Sequence, residues 1–274
     1  MADDWKTLDA AVRVEPGSKS ELGKRDPVGD QLVPDKDEGK ALLEQYAKEI
    51  DVLQDRLWSE GERSLLVVLQ GIDTAGKDGT ISGVFGTCGP LGVVVTAFGR
   101  PTELELAHDY LWRVHQAVPK RGMIGVFNRS HYEDVLVAKV RELAPAEAIE
   151  QRYEQINAFE RHLSENNVTI LKFMLHISKD EQRERLQARL DDPAKHWKFN
   201  AGDLEDRKLW DKFACAYETV LDRCSTEHAP WRVIPSDKKW RRNVLIAAIV
   251  RGTLEDMNPQ YPKVDWKPED FKIV

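Results

Sequence analysis

The sequence predicts an α/β fold in which a parallel five-stranded sheet carries helices on both of its faces. The first observation is an alternation along the chain, where five short apolar segments are separated by longer segments with helical periodicity. Such alternation is typical of a parallel sheet that is covered on both sides. The second observation is a glycine-rich loop at residues 71–77, which leads directly from the first apolar segment into a helical one.

The part of the chain before the first strand divides into two. Residues 1–35 have mixed charge and no sustained period, and the stretch 16–39 is rich in Gly, Pro, Asp and Lys. We therefore expect an extended N-terminal arm over 1–35 and a main domain over 36–274. Residues 38–62 carry apolar side chains at a helical period, which predicts a helix packed beside the sheet.

The remaining elements follow in order along the chain. The first strand, 65–70, is an unbroken run rich in Leu and Val, which indicates burial on both faces. Similar apolar segments predict the other strands at 93–98, 123–127, 169–177 and 231–234. Helical patterns between and after the strands predict helices at 78–88, 102–118, 145–166, 180–191, 204–224 and 238–255.

Composition places the chain among globular proteins. Its 274 residues are 41% hydrophobic and 32% charged, and no apolar run approaches the roughly 18 residues of a membrane span. The net charge of −7 argues against a general nucleic-acid binder, although local clusters can still bind a polyanion. No signal-peptide pattern opens the chain, and its three cysteines lack metal-site spacing, so we expect a cytoplasmic protein with reduced thiols.

The loop after the first strand, GIDTAGK at 71–77, matches the first seven positions of a P-loop. Its glycines allow the backbone to curl with N–H groups inward, so that the loop and the following helix N-terminus hold an anion. Lys77 adds a positive charge on the bound phosphates. The predicted phosphate-binding residues here are Gly71, Thr74, Ala75, Gly76, Asp78, Gly79 and Thr80. The alternative is a plain strand-to-helix turn.

The loop departs from the usual P-loop at one position. Asp78 stands where a Ser or Thr normally follows the lysine and binds the metal ion. Asp73, inside the loop, can compensate by placing a carboxylate beside the phosphates, where a Mg²⁺ would bridge them.

A second cluster of polar residues, NRSHYED at 128–134, follows the third strand directly. Polar residues at the carboxyl end of a parallel strand face the ligand crevice. We predict that Asn128 and Arg129 contact phosphate, and that Glu133 or Asp134 holds Mg²⁺ with Asp73. The alternative is a helix-capping cluster, which explains Glu133 well but explains Arg129 poorly, because a cation is unfavourable at a helix N-terminus.

His131 in this cluster is a tempting general base, but a structural role is favoured. An acceptor that is itself a phosphate has a second pKa of about 6 and is mostly ionised at neutral pH. Such an acceptor needs no base, so catalysis would depend on positioning, metal and cationic charge.

A third cluster is basic and spans 182–212. Arg185 and Arg189 are four residues apart and share a helix face, and the helix breaks at an Asp-Asp-Pro sequence before the aromatic and basic loop that contains Lys198. We predict a lid over about 180–212 that closes on phosphates. The alternative is a solvated helix with intrahelical ion pairs.

One further pair can belong to the site. Asp109 and Arg113 are four residues apart within the predicted helix 102–118. They can line an acceptor pocket, but an ordinary surface ion pair explains them equally well.

Four motifs together resemble the second family of polyphosphate kinases. They are GIDTAGKDGT at 71–80, FNRSHYEDVL at 127–136, ERLQARLDDPAKHWKF at 184–199 and APWRVIPSDKKWRRN at 229–243, in the family's order. The resemblance covers about residue 35 to the end. It implies a P-loop kinase fold, with a thymidylate-kinase-like core and a helical lid, and homo-oligomers such as dimers or tetramers.

The resemblance also implies an activity, the reversible transfer of the terminal phosphoryl of inorganic polyphosphate to a nucleotide. Asp73 and Asp134 look like Mg²⁺ carboxylates, Lys77 and Arg129 like phosphate clamps, and Arg185, Arg189 and Lys198 like lid contacts. The form NRSHYEDVL looks more like members that phosphorylate both AMP and ADP. The polyphosphate donor follows from the family alone.

Two other functions compete with this interpretation. An ATP-dependent kinase of a nucleotide or small molecule would share the fold, but Asp78 in place of Ser or Thr speaks against ordinary ATP–Mg²⁺ geometry. A nucleotide-binding switch without turnover would leave the paired carboxylates and the lid arginines unexplained.

Overall fold

The computed structural model describes residues 5–33 and 35–273, and it contains the expected five-stranded sheet with all strand pairs parallel. The strand order is β2-β3-β1-β4-β5. Each predicted strand is confirmed to within two residues. The strands are β1 (Ser64–Gln70), β2 (Val93–Ala97), β3 (Ile124–Asn128), β4 (Val168–His176) and β5 (Trp231–Pro235).

Helices connect the strands and cover the sheet. Those in the described ranges are α1 (Trp5–Val12), α2 (Lys36–Glu60), α3 (Lys77–Phe85), α4 (Glu103–Leu106), α5 (Trp112–Ala117), α6 (Val137–Val140), α7 (Ala146–Glu165), α8 (Lys179–Asp191), α9 (Ala201–Lys208), α10 (Trp210–Cys224) and α11 (Lys239–Met257). Short 3₁₀ turns occupy Leu22–Lys24, His131–Asp134, Pro193–Lys198 and Pro268–Asp270. Within these ranges, no helix is both long and apolar enough to cross a bilayer.

The central strand β1 is buried along its whole length, as its unbroken apolar sequence predicts. Its odd-numbered side chains, such as Val67, belong to a core with α2, α3 and α11. Its even-numbered side chains, such as Val68, belong to a second core with α7 and α10. Each buried Val or Leu side chain contributes about 1.5–3 kcal/mol, so these two cores hold the ends of β1 and β3 in place.

Two predicted helices are broken in the structure. The segment 102–118 forms α4 and α5, because the Asp109 carboxylate accepts a hydrogen bond from the Leu111 N–H at 3.0 Å and favours a turn over helix continuation. The segment 204–224 is interrupted for one residue at Leu209, between α9 and α10. The short helix α6 was not predicted, since its apolar sequence has too few residues to show a period.

The composition of the N-terminal arm predicted an extended segment, but part of the arm is helical in the structure. Residues 5–12 form α1, whose Leu8 and Val12 are buried in the core with α11. Asp9 forms a buried ion pair with Arg232 of β5. Residues 1–4 and 34 lie outside the described ranges, and the placement of the domain boundary near residue 35 stays a prediction.

Candidate active site

A cavity of about 750 Å³ opens at the carboxyl ends of β1 and β3, between the phosphate loop and the lid segment 179–208. Of the predicted site residues, those that line it are Asp73, Thr74, Gly76, Lys77, Asp78, Gly79, Asn128, Arg129, Arg185, Arg189 and Lys198. Eight basic and four acidic side chains line this cavity. The local charge is therefore opposite in sign to the net charge of −7 of the whole chain, which suits a polyanionic ligand.

The phosphate loop has the curled backbone that its glycines predict. Gly71 and Gly76 have φ angles of 156° and 108°, and Thr74 adopts a left-handed conformation at 68°. A Cβ atom at Gly76 would lie 1.8 Å from Nη1 of Arg242, so the loop requires glycine there for space as well as conformation. Three predicted phosphate-binding residues are not among those that line the cavity: Gly71, Ala75 and Thr80.

Lys77 is the first residue of α3 and points back across the loop. Its Nζ donates a 2.7 Å hydrogen bond to the Gly71 carbonyl. Burial and the positive charge of Arg129 lower the pKa of Lys77, and the carboxylate of Asp73 offsets part of this effect. The ammonium group is thus held among charged partners at the position where a phosphate would bind.

Arg129 lies between two carboxylates. Its guanidinium is 2.6 Å from Asp73 and 3.5 Å from Glu133. Burial lowers the pKa of Arg129, but the carboxylates of Glu133 and Asp73 outweigh burial and raise it. A φ angle of 64° places the residue in the left-handed region, a strained conformation for a non-glycine residue. The turn between β3 and the following 3₁₀ turn is thereby bent so that this side chain faces the phosphate loop.

Asp78 and Asn128 are joined across the cavity. The Asn128 amide donates a 2.7 Å hydrogen bond to the Asp78 carboxylate. The residue that replaces the usual Ser or Thr of a P-loop is therefore tied to the carboxyl end of β3. The sequence predicted both residues in the site but did not predict this contact.

Asp134 is paired with an arginine of α7 and is not among the residues that line the cavity. Its carboxylate is 3.6 Å from Arg152. Burial raises the pKa of Asp134, and Arg152 offsets part of the shift. This placement speaks against a metal ion shared by Asp73 and Asp134, and the role of Asp134 stays a prediction.

Only one of the two residues predicted to line an acceptor pocket contacts the cavity wall. Asp109 and Arg113 do not form an i,i+4 pair, because the helix is broken between them. Asp109 is exposed and caps the turn at Leu111, whereas Arg113 donates to the Gly99 carbonyl at 3.0 Å. Since Gly99 lines the cavity, Arg113 supports its wall and Asp109 does not.

The predicted lid corresponds to α8, the 3₁₀ turn and α9, and its closure on phosphates stays a prediction. Asp192 caps the 3₁₀ turn that begins at Pro193, so the predicted break at these residues is confirmed. Arg189 holds this segment together by binding the Lys198 carbonyl and the Asp203 carboxylate, both at 3.0 Å.

Several cavity residues were missed by sequence reasoning. Phe98 and Gly99 directly follow β2, Glu181 and Glu184 come from the lid segment, and Lys239 and Arg242 come from α11. The motif at 229–243 contains Lys239 and Arg242 and was the available signal. No local pattern indicates that the first turn of α11 faces the phosphate loop.

The loop that carries Arg129 is anchored from behind by a buried polar network. His131 and the Tyr132 hydroxyl approach Oε1 of Glu160 at 3.1 and 2.8 Å. Lys172 approaches Oε2 of Glu160 at 2.5 Å, and all four side chains are inaccessible to solvent. His131 therefore supports the loop from inside the core, in agreement with the structural role that the sequence favoured.

The donor set of the cavity can be compared with the needs of Mg²⁺, which usually takes one or two carboxylates together with substrate phosphates. Asp73 and Asp78 supply carboxylates at the phosphate loop. In the described part of the chain, no group of three or more His, Cys, Asp or Glu side chains could hold a metal ion alone. The residues fit a magnesium ion that arrives with phosphate.

Comparison with known proteins agrees with the geometry. A family model described as polyphosphate kinase 2 matches residues 33–262. An "AMP/ADP-polyphosphate phosphotransferase" from Meiothermus ruber is 51% identical over 264 residues, which are 95% of this chain and 98% of that protein. An "ADP-polyphosphate phosphotransferase" from Rhodopseudomonas palustris is 39% identical, over 92% of this chain and 91% of that protein.

A solved structure shares the same fold. The crystal structure of polyphosphate kinase 2 from Arthrobacter aurescens superposes with a TM-score of 0.92 at 43% sequence identity. The match covers 96% of this chain and 94% of that one. The likeness therefore extends over nearly the whole of both chains.

Proposed function

The chain belongs to the polyphosphate kinase 2 family, and on that premise we propose that it transfers the terminal phosphoryl group of inorganic polyphosphate reversibly to AMP and ADP. The observation that carries the proposal is the cavity in which Lys77, Arg129 and the lid cations surround a P-loop. The enzyme is a kinase whose donor is a polymer of phosphate. Acceptance of both AMP and ADP is supported by the printed name of the Meiothermus ruber relative.

The chemistry requires positioning and charge from this chain. A terminal nucleotide phosphate, with a second pKa of about 6, is mostly ionised at neutral pH and can attack without a general base. Lys77 and Arg129 would bind oxygens of the transferring group and stabilise negative charge that develops there. The backbone N–H groups at the start of α3 would add fixed dipoles directed at the same anion.

Arg129 would change partners during binding. Its guanidinium is paired with Asp73 at 2.6 Å and with Glu133 at 3.5 Å. A phosphate oxygen would compete with Asp73 for the guanidinium and free that carboxylate for a cation. Glu133 would then keep Arg129 oriented, because it pairs with Nη1 of the guanidinium whereas Asp73 pairs with Nη2.

We place Mg²⁺ at Asp73, with Asp78 nearby, and leave Asp134 outside that set. When bound, the ion would neutralise charge on the phosphates and orient them. Asp73 would contribute the carboxylate that becomes free when Arg129 turns to phosphate.

The alternative of an ATP-dependent small-molecule kinase is not favoured. The Asp78 carboxylate is occupied by Asn128 where an ordinary P-loop offers a hydroxyl to ATP-bound magnesium. The relatives carry the names of polyphosphate phosphotransferases.

The first experiment is an assay without ATP. Purified protein is mixed with Mg²⁺, polyphosphate and either AMP or ADP, and the nucleotides are resolved by chromatography. We expect ADP and ATP from AMP, and ATP from ADP. If folded protein formed no product from either acceptor, the proposed donor would be wrong, and an assay with ATP and small-molecule acceptors would be the next step.

We also propose that copies of this chain assemble in the cytoplasm. Val94 and Val95 of the edge strand β2 and the neighbouring Leu91 are exposed, and a second copy would cover them. The three cysteines are free thiols, in keeping with a reducing compartment. Light scattering after gel filtration would measure the assembly, and a monomeric mass would contradict it.

A further inference from the structure

Arg185 lies on α8 beside the phosphate loop, and its five N–H donors all have protein acceptors. Nε binds the Glu181 carboxylate at 2.8 Å. Nη1 binds the carbonyls of Thr74 and Ala75 at 2.9 and 3.2 Å. Nη2 binds the carbonyls of Ser236 and Asp237 at 2.6 and 3.1 Å. An arginine has five N–H donors, so none remains for a phosphate.

The acceptors identify what Arg185 organises. Thr74 and Ala75 lie in the middle of the phosphate loop, and Thr74 holds a strained φ of 68°. A peptide plane whose carbonyl is fixed on one side has its N–H fixed on the other. Binding these two carbonyls therefore fixes two N–H groups. The Ala75 N–H closes the loop on the Ile72 carbonyl at 3.0 Å, and the Gly76 N–H is the kind of group that binds an anion in a P-loop.

Two neighbouring side chains reinforce the arrangement. Nη1 of Arg242 binds the Ala75 carbonyl at 3.0 Å, and the Gln182 amide binds the Asp73 carbonyl at 3.2 Å. Burial and the charge of Arg185 lower the pKa of Arg242 to about 10. Two guanidinium groups are thus held close together against one loop. Their mutual repulsion is unfavourable, and the hydrogen bonds that they donate to the backbone carbonyls offset it.

The next arginine on the same helix has a different environment. Arg189 is one turn further along α8. Among the residues that the structure describes, only its Nη1 has protein acceptors, which are the Lys198 carbonyl and the Asp203 carboxylate. Arg183, on the outer face, is exposed and lies 3.9 Å from Asp180. These three arginines therefore form a natural series on one helix.

We propose that Arg185 is a positioning residue of the phosphate loop, which orients the Thr74 and Ala75 peptides for phosphate binding, and that it is not itself a phosphate ligand. The inference deepens the proposed function and rests on it. It changes the role that the motif suggested, since a lid contact would need at least one free donor. The first half of α8 becomes part of the loop's support.

The test compares Arg185→Met, Arg185→Lys, Arg189→Met and Arg183→Met with the wild type. Polyphosphate binding is measured by calorimetry over a series of salt concentrations, and kcat and KM are measured with ADP. Each cation that neutralises a phosphate contributes roughly 0.7 to the slope of log affinity against log salt, by analogy with single-stranded nucleic acid. A positioning residue contributes nothing to that slope.

We expect Arg185→Met to keep the wild-type salt slope and to lose about 100-fold in kcat with an unchanged KM for ADP, because a misplaced loop costs turnover. Arg189→Met should flatten the slope, and Arg183→Met should change neither quantity. Arg185→Lys keeps the charge but lacks the planar fork of five donors, so its kcat should stay low.

A flatter slope in Arg185→Met, or near wild-type kcat in Arg185→Lys, would overturn the inference. If Arg185→Met does not fold, the kcat of Arg185→Lys still tests the inference. Calorimetry detects binding without turnover, so the slopes remain comparable if the transfer assay fails. A wild type that neither binds nor uses polyphosphate would overturn both the proposed function and this inference.

Discussion

Charge pairing between single side chains explains how the cavity holds cations and carboxylates together. Asp73 and Arg129 form a 2.6 Å ion pair at the phosphate loop. Lys77 lies in the same electrostatic environment, because Arg129 lowers its pKa and Asp73 opposes that effect. Each of these charged side chains therefore has an oppositely charged neighbour, so no buried charge is left uncompensated. Lys77 and Arg129 can exchange that neighbour for phosphate, and Asp73 can exchange it for a metal ion.

The first residue-scale prediction concerns Asp73. We expect Asp73→Asn to lose Mg²⁺-dependent turnover by at least about 100-fold, because it removes the carboxylate nearest the loop. The fold should survive, as measured by circular dichroism. Asp134→Asn is the matched control, and it should shift the Mg²⁺ titration much less, since Asp134 faces Arg152. Equal effects of the two variants would support a metal site shared by Asp73 and Asp134.

The second residue-scale prediction concerns Lys77. We expect Lys77→Met to lower kcat by roughly 100- to 1,000-fold, as for removal of one charge-stabilising donor. The folded-state pKa of Lys77 is lowered, so its charged form weakens the fold at neutral pH. This penalty shrinks as pH rises from the lowered pKa towards the ordinary value of 10.5. The variant should therefore unfold at no lower urea concentration than the wild type at pH 7. A mild loss of rate would contradict the P-loop assignment.

Contacts between secondary-structure elements hold the active-site residues in position. The network of Glu160 on α7, Lys172 on β4 and His131 and Tyr132 of the 3₁₀ turn joins three elements behind the active site. Burial raises the pKa of Glu160, but Lys172 and His131 outweigh it and lower the pKa. The pair therefore stabilises the fold above pH 4.5, and that contribution is lost as pH falls through the lowered pKa.

The element-scale prediction tests this buried pair. Lys172→Met leaves Glu160 without its cation, and we expect the free energy of unfolding to fall by about 3–5 kcal/mol at pH 7. The loss should shrink in acid, because protonation neutralises the stranded carboxyl group. Lys48→Met removes the exposed Glu44–Lys48 pair of 2.9 Å on α2 and should leave the free energy of unfolding nearly unchanged, because solvent screens the pair. Urea unfolding at several pH values measures both, and equal costs would refute the argument.

The whole molecule includes its N-terminal helix. Leu8 and Val12 of α1 are buried, and a Cβ on Gly252 of α11 would lie 2.2 Å from the Trp5 ring. Asp9 reaches Arg232 on β5, so the helix is tied both to the closing helix and to the last strand of the sheet. The arm is thereby part of the folded body.

The whole-molecule prediction uses two ion pairs made by α1. Asp9→Ala leaves Arg232 buried without its carboxylate, and we expect a loss of about 3–5 kcal/mol in the free energy of unfolding. Lys6→Met removes the exposed pair with Asp256 of α11 and should cost at most about 1 kcal/mol. Urea unfolding compares them, and kcat of the folded Asp9→Ala protein should stay at the wild-type value. Equal stability of both variants would mean that α1 is not integral.

The strands, the longer helices and the phosphate loop could all be predicted, because each depends on a local pattern of a few to some twenty residues. The breaks near Asp109 and Leu209 and the helix α1 could not, because short-range hydrogen bonds and packing on distant elements decide them. Among the site residues, Asp73, Lys77 and Arg129 were found by their place after a strand. Phe98, Lys239 and Arg242 reach the cavity from segments without a local signal.

A parallel α/β sheet, a P-loop with an unusual aspartate and a basic lid segment can be inferred from the sequence, because they follow from periodicity, glycine conformation and charge. Which charged side chains meet depends on the folded arrangement of the chain. Arg185 binds the carbonyl of Thr74 across 111 positions of the chain, and Asp134 turns to Arg152 instead of Asp73. A side chain's role depends on which donors remain free after folding, and that is determined by contacts between residues far apart in the chain.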